Sequence, residues 1–584
     1  MKRFFLITTI LCCPLILTGQ ELRQYEHLFC KGDDTLNHSS IRNLYPYLNP
    51  AQPDSPFRSL GSQSTRFGRA INRLLDENII TLRAPGYRLT ADPLLDLELG
   101  RELPAGRNTW VNTRGGQVYG KITLDKEKGE GRREKGKEEE DGCDSSTVEF
   151  YSSYYESQAW FPGFVDSLAA LSGGVPGQGA ILRNSGIWDH SYATGWVRYQ
   201  AKKFFTFEFG TGKNFFGNGY RSMLLSDNAR NYPYFRIDTK LWRFHYTNLW
   251  AEFQDNRYRE DSLGAYQKKY GAFHYLSYSI TTRLELSFFE AIIWQGRDSS
   301  HTRGFDINYL NPIIFLRPVE WTLGSPDNAL IGANLSYKIV NGTYLYGQLL
   351  LDEFSFDHLK TRDGYWGNKY AGQIGIKAWI PLKKGYGVWD VGYGMSDKGN
   401  LKDQSNIQNP TSNIQYPTSN IQNPTSDISL FVQSEFNFAR PYTYSHWTSK
   451  QNYGHFGQPI GHPLGANFIE WVNFVRFHYG RFLAEARSSI AHFGANYDTL
   501  NFGQDIFLPY TSYVNKYGNF IGQGRSTNLL YNSLTFSFLL SPSSLTNVFC
   551  TLTDRREITD SWNKHSFWFT FGIRSSIRNL YYDY

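Results

Sequence analysis

Residues 329–351 read ALIGANLSYKIVNGTYLYGQLLL. Ala329, Ile331, Ala333, Leu335, Tyr337 and Ile339 alternate with Gly332, Asn334, Ser336 and Lys338, which is the period of two of a strand apolar on one face and polar on the other. Asn341-Gly342 follows, a dipeptide suited to the left-handed positions of a two-residue hairpin turn, and a second strand returns from Tyr344 to Leu351. The pattern recurs in Phe205, Phe207 and Phe209, in Leu276, Tyr278 and Ile280 turning into Leu284, Leu286 and Phe288, and in Ile428 to Phe438. It returns in Leu534 to Leu540 and in Phe567, Phe569, Phe571 and Ile573.

Alternation alone does not separate a membrane barrel from a soluble β-sandwich. The connections do, because tight turns (201–203, 281–283, 340–343, 479–481, 541–544) alternate with long loops. Arg243, Arg476 and Arg487 all fall on the polar phase, as they must where an Arg facing lipid near the midplane costs about 2–4 kcal/mol. Mean hydropathy is −0.47, too low for helical spans, and aromatics make up 17% of the chain, enough for two girdles.

The pattern predicts an all-β fold, a transmembrane antiparallel β-barrel of about 18 strands. The strands fall near 94–101, 110–124, 147–157, 195–200, 204–210, 233–239, 241–253, 273–280, 284–295, 329–339, 344–353 and 371–380, then 428–438, 467–478, 482–493, 529–540, 546–553 and 566–574. With the tight turns periplasmic, both ends of the barrel, 93–584, emerge in the periplasm.

Lys2 and Arg3 precede an apolar run from Phe4 to Leu17, too short for a membrane helix, so residues 1–19 read as a signal peptide. Leu11 before Cys12 does not suit a lipoprotein signal, and Cys30, Cys143 and Cys550 are too scattered for a disulfide scaffold or a metal knuckle. Residues 20–92 are expected to form a small periplasmic segment with one short helix, where Phe67, Ile71, Leu74 and Leu75 follow a Ser64-Thr65 cap. Two stretches lack the apolar content to fold alone: the mixed-charge run 126–144 and the 396–426 insertion with its NIQNPTS, NIQYPTS, NIQNPTS heptads. Strand parity puts both on the periplasmic side.

A net charge of +6 with no basic stripe argues against nucleic acid as a partner. There is no G-x-S-x-G or H-E-x-x-H, and Gly212-Lys213-Asn214 lacks the Ser or Thr of a phosphate loop. His446, His455 and His462 share a loop at spacings that match no standard metal site, so no metal, cofactor or catalytic residue is assigned.

The loops GKNFFGNGYRSMLLSDNARNYPYFRI (212–237), GFDINYLNPIIFLRPVEWTLGSPDNALIG (304–332), YWGNKYAGQIG (365–375) and RPYTYSHWTSKQNYGHFGQPIGHPLGAN (440–467) resemble those of the capsule-assembly Wzi family of outer-membrane proteins, especially its gliding-motility RemB-like branch. The resemblance runs from about Leu94 onward and leaves out the charged run and the heptads. It implies an eighteen-stranded barrel with periplasmic N-terminal helices that holds polysaccharide at the cell surface, or, in the RemB-like branch, serves motility.

A glycan site needs aromatic faces for sugar C–H surfaces and planar polar groups for hydroxyls and acids. Arg221, Arg317 and Arg440 suit uronate or phosphate groups, Asp227, Glu320 and Asp327 suit hydroxyls, and Trp366, Tyr442, Tyr444 and Trp447 suit stacking, with His446 and His462 as further sugar contacts. The competing reading is that such Arg–carboxylate pairs knit the loops into a plug. The expected partners are surface polysaccharide, outer-membrane lipid and a motility or export protein. The functional alternatives are an adhesion component, an outer-membrane hydrolase and a passive porin.

Overall fold

The computed structural model describes residues 38–42, 64–124, 145–179, 182–184, 186–259, 265–297, 302–313, 318–319, 322, 324, 327–382, 428–576 and 578–584. The expected signal peptide, both insertions, Arg317 and Glu320 lie outside them.

Eighteen antiparallel strands close into one barrel. They are β1 Tyr87–Leu103, β2 Arg107–Thr123, β3 Thr147–Trp160, β4 Ile187–Ala201, β5 Phe205–Gly212 and β6 Tyr232–Leu241. Then come β7 Phe244–Arg259, β8 Tyr266–Ser279, β9 Leu284–Gln295, β10 Asn328–Val340, β11 Thr343–Leu351 and β12 Tyr370–Pro381. The last six are β13 Ile428–Ala439, β14 Phe468–Tyr479, β15 Phe482–Ala495, β16 Arg525–Ser541, β17 Thr546–Thr559 and β18 Asn563–Ser575. Each strand pairs with the next in sequence, and β18 closes on β1 from Phe567↔Leu103 to Arg574↔Asp96. No helix among the described residues is long and apolar enough to cross a membrane.

The wall is inverted relative to a soluble protein. On β18, Phe569 and Phe571 point outward at 36% and 48% exposure while Thr570 between them is buried in the lumen. Outward residues elsewhere are apolar: Leu97, Leu99, Val197, Phe209, Ile331, Leu349, Ile374 and Val475 are all exposed. The inward phase carries Glu98, Asp96, Glu208, Glu285, Glu435, Glu470 and Arg487, all buried. An apolar outside around a charged, filled inside is the arrangement that lipid rather than water stabilises. Trp242, Tyr337 and Tyr479 stand exposed at the tight-turn end, where an aromatic girdle belongs.

Each expected strand corresponds to an observed one, but most of the observed strands run further: expected 195–200 is Ile187–Ala201, and expected 529–540 is Arg525–Ser541. The reason lies on the outer face beyond the apolar band. Arg114, Glu156, Asp189 and Ser191 occupy the outward phase there, so the backbone stays paired while the hydrophobic alternation stops. The barrel also begins before the expected residue 93, with Pro93 inside β1. On that side of β1 a short strand, Ile80–Ala84, pairs only as far as Ala91 and β18 pairs only from Asp96, so Pro93 falls where no ladder partner needs its missing N–H.

A helix, α1 (Arg66–Leu75), precedes the barrel with Thr65 as its N-cap, the hydroxyl accepting from the Gly68 N–H at 2.9 Å. Parity puts the ends of β2, β3, β12 and β13 that flank the two insertions at the tight-turn end.

Phe569→Arg is expected to cost about 2–4 kcal/mol near the bilayer midplane, whereas the polar change Thr570→Asn, one residue on but facing the lumen, is expected to fold normally. Folding yield into lipid, read as heat-modifiable gel mobility, measures the contrast. Equal yields would mean that the inside and outside of β18 have been exchanged.

Candidate functional site

Lumen and mouth are both built from segments that enter between strands. The loop 213–231 after β5 drops into the barrel and is held by side chains of the wall. Glu435 on β13 accepts from the Tyr220 and Arg221 N–H groups at 2.6 and 3.0 Å and from the Tyr346 hydroxyl at 2.8 Å. The Arg221 guanidinium meets Glu470 at 2.8 Å and Asp583 at 3.1 Å. Gln373 donates to the Arg221 carbonyl at 3.0 Å, and Lys377 to the Asn218 carbonyl at 2.9 Å.

Two further segments reach the same loop from the tight-turn end. Ile41–Arg42 pairs as a short strand with Phe215–Phe216, with the Ser39 N–H and the Ser40 hydroxyl on Glu285 below. Residues 578–584, after β18, turn back up the lumen. There Asp583 meets Arg487 at 3.0 Å, Asn579 and the Tyr581 hydroxyl donate to Asp227 at 2.8 and 2.6 Å, and Arg578 lies 3.7 Å from Asp96. The loop 440–467 closes the plug from above: the Tyr444 hydroxyl donates to the Met223 carbonyl at 2.8 Å, the Tyr453 hydroxyl donates to the Leu224 carbonyl, and His462 sits 2.7 Å from Glu470. Burial holds His462 below its ordinary pKa despite that carboxylate.

These contacts correct the sequence reading of seven candidates. Arg221, Asp227, Asp327, Tyr442, Tyr444, His446 and His462 are all buried, at 4% exposure or less, so no extracellular ligand touches them in this structure. Arg303 grips Asp327 with 2.8 and 2.9 Å hydrogen bonds, joined by the Tyr309 hydroxyl at 2.6 Å. Tyr442 and Tyr444 have φ of 67° and 72°, a left-handed backbone that costs a bulky residue about 1–3 kcal/mol and persists only where surrounding contacts over-determine it. For Arg221, Asp227, Tyr444 and His462 the cause is that a barrel lumen must be filled and charges inside it must be paired, whereas Asp327 is taken up by the loop after β9, and Tyr442 and His446 by packing against the loop 496–524.

What remains reachable lies above the plug. The loop 352–369, which carries the short helix α2 (Phe356–Thr361), is laced to the loop 496–524: the Trp366 N–H donates to the Lys516 carbonyl at 3.1 Å and the Gly518 N–H to the Asp363 carbonyl at 2.8 Å. Arg440 ties both loops, donating to the Asn368 and Asn519 carbonyls at 2.8 and 3.3 Å. Beneath, Lys369 pairs with Asp352 at 3.1 Å; burial pushes the Asp352 carboxyl up to about 6 against the pull of that ammonium.

On this base stands an aromatic ledge. Trp366 is half-buried against Tyr513 at 5.0 Å, nearly parallel, and Tyr510 at 4.7 Å. Tyr365 continues it, stacked on His358 at 4.3 Å and lying 5.9 Å from Tyr517. His358 in turn contacts Asp363 at 2.6 Å; against the opposing effect of desolvation, the hydrogen bonds from His358 and from the Tyr365 N–H together hold that carboxyl below its usual range. Tyr517, Phe520 and Trp447 are 46%, 63% and 42% exposed, and Lys360, Arg362 and Lys516 are exposed around the ledge.

Of the sequence candidates, Trp366 and Trp447 face the mouth, and Arg440 supports it. The loop 496–524 went unread, although Tyr497, Phe502, Phe507, Tyr510, Tyr513, Tyr517 and Phe520 give it the aromatic density that marks a binding surface. Among the described residues no group of His, Cys, Asp and Glu is arranged to hold a metal.

No family model and no curated protein matches the chain. Similar solved structures include Wzi of Escherichia coli, described as an outer-membrane protein involved in group 1 capsule assembly and a carbohydrate-binding β-barrel. It shares 12% identity, covering 96% of this chain and 99% of that one with a TM-score of 0.46. OprD of Pseudomonas aeruginosa shares 9% identity over 83% of this chain and 94% of its own, TM-score 0.38. OccAB4 of Acinetobacter baumannii shares 8% over 84% and 97%, TM-score 0.38.

Asp583→Ala leaves Arg221 and Arg487 buried beside a missing partner, and breaking a buried pair in this way is expected to destabilise the barrel by about 3–5 kcal/mol. Asp583→Asn, which keeps hydrogen-bonding atoms in place, should lose less. Urea unfolding of the refolded barrel compares them; wild-type midpoints for both would show that residues 578–584 do not secure the plug.

Proposed function

We propose that this chain is a non-enzymatic outer-membrane barrel that holds an acidic surface polysaccharide, such as capsule, on the ledge formed by Trp366, Tyr510, Tyr513, Tyr365 and Tyr517. The observation that carries the reading is a pre-stacked, partly exposed aromatic platform braced by Arg440 and ringed by Lys360, Arg362 and Lys516. Aromatic faces take the C–H faces of sugar rings, and being already packed against one another they lose little conformational freedom on binding. The cations suit uronate or phosphate substituents. On this reading the tight-turn end faces the periplasm and the ledge the cell exterior. The Wzi-like phrasing of the loops agrees with the choice of ligand, while a RemB-like affinity would favour the second reading below.

A lumen packed by three segments disfavours a passive porin. A cavity between β1–β3 and β15–β18 measures about 60 Å³, which holds on the order of four waters. A hydrolase would need a nucleophile converging on a histidine at the rim. The His358–Asp363 pair is there, but among the described contacts no serine hydroxyl bonds to that histidine. A motility or adhesion component that grips a protein is the second reading, favoured by Phe356 and Leu359 on α2, 65% and 45% exposed beside the ledge.

Trp366→Ala and Lys516→Ala are expected to weaken binding to acidic glycans on an array of the detergent-folded barrel, by different routes. The Lys516→Ala loss should shrink as salt rises, because screening weakens an exposed charge, while the Trp366→Ala loss should persist. Folded variants that bind like the wild type would remove the ledge from the site and move the protein-partner reading ahead.

A further inference from the structure

Residues 302–313, in the loop after β9, do not rise over the mouth. They fold outward and down, onto the face of the wall that points away from the lumen. Trp250 on β7, Ala272 on β8, and Ile292 and Trp294 on β9 all belong to the outward phase, and they are buried because Tyr309 covers them. Two indoles hold the loop in place: Trp294 donates to the Gly304 carbonyl at 3.1 Å and Trp250 to the Tyr309 carbonyl at 2.7 Å. Arg303 locks the base of the loop through Asp306 and Asp327. Phe305 lies edge-on to Tyr270 at 5.8 Å and tilted against Trp294 at 5.6 Å, again outside the wall.

With Tyr309 turned inward, the other side of this segment is apolar and bare. Ile307 is 74% exposed, Ile313 68%, Leu310 44% and Phe305 38%. Its height on the barrel follows from the wall. Phe235, Trp250, Tyr270 and Trp294 cluster at the loop end of β6–β9, as an aromatic girdle does at a membrane interface. One pair further up, the Lys268–Glu252 ion pair at 2.9 Å marks the aqueous side on the same outward phase. Below, Phe288 and Ile331 continue the exposed apolar band.

We propose that residues 305–313 form a membrane flap whose Ile307, Leu310 and Ile313 insert among the acyl chains of the outer lipid leaflet. The flap is continuous with the lipid-facing wall, lies level with its girdle, and presents large aliphatic side chains with no polar group interleaved on the exposed side except Asn308 and Asn311, which suit the headgroup boundary. A stretch that reads in the sequence as part of a surface-facing binding loop is thereby assigned to lipid, and the ledge is left to the loops 352–369 and 496–524.

Nitroxide labels at single cysteines test the flap, in a background with the chain's own cysteines replaced by serine and the barrel reconstituted into phosphatidylcholine vesicles. Labels at Ile307→Cys and Ile313→Cys are expected to be relaxed more by oxygen than by a water-soluble nickel chelate, like a label at the outward Val197→Cys. The exposed Gly324→Cys should show the reverse. Either flap position gives a reading if the other variant folds poorly. A nickel-dominated response at both would place the loop in water and overturn the proposal. Protection from both reagents would place another protein or a second copy over the flap and overturn it equally.

Discussion

The guanidinium of Arg221 is the point on which the interior turns. It is 1% exposed, with Glu470 from the wall at 2.8 Å and Asp583 from the returning segment at 3.1 Å. A cation so far from water is tolerated only where carboxylates surround it, and each carboxylate here belongs to a different part of the chain. The same Asp583 engages Arg487 and Tyr220, and the same Glu470 engages His462, so one charge network joins the plug loop, the upper loop, the wall and the segment after β18. Glu435 adds the backbone of the plug loop itself.

That closure from within explains the division of labour outside. A plug held from both ends gives the loops 352–369, 440–467 and 496–524 a firm floor, and Arg440 and the backbone pairs 364–519 and 366–516 stiffen them further. A recognition surface built this way pays little ordering entropy when it meets a ligand. The outer wall is managed by the same rule that polar groups must find partners. Where the outward phase carries Ser434, Asn473, Ser488 and Asn532, they sit opposite one another across strands, and each serine hydroxyl donates to the facing amide oxygen, at 2.8 and 2.9 Å.

The comparison of pattern with structure is instructive strand by strand. The inside-outside phase of β18, read from Phe567, Phe569, Phe571 and Ile573, is the phase observed, because one residue's error would have exposed Thr570 and buried Phe569. The hairpin at Asn341-Gly342 forms where it was read, but only Gly342 is left-handed, at φ 82°, and the register shifts between Lys338 and Val340. Strand ends were not legible, since pairing outlasts hydrophobic alternation once the wall leaves the apolar band, as Asp189 and Ser191 show on β4. The loops were legible only as rich in aromatic and charged residues. Arg221 and Lys516 look alike in that respect, yet one is enclosed and the other open to solvent.

The sequence by itself therefore determined the strand phases, with their lipid and lumen faces, and the tight turns at one end of the barrel, because a period of two and local turn chemistry act over a few residues; the short turns 104–106 and 560–562 at the opposite end lay inside stretches read as longer loops. Only the tertiary structure decided which loop residues fill the lumen, which stand at the mouth and which lie against lipid. Those fates depend on partners remote in the chain: Tyr220 bonds Asp583 across 363 positions, and Trp250 bonds the Tyr309 carbonyl across 59. No local pattern encodes such pairings, since the desolvation that makes them obligatory arises only once the barrel has closed around them.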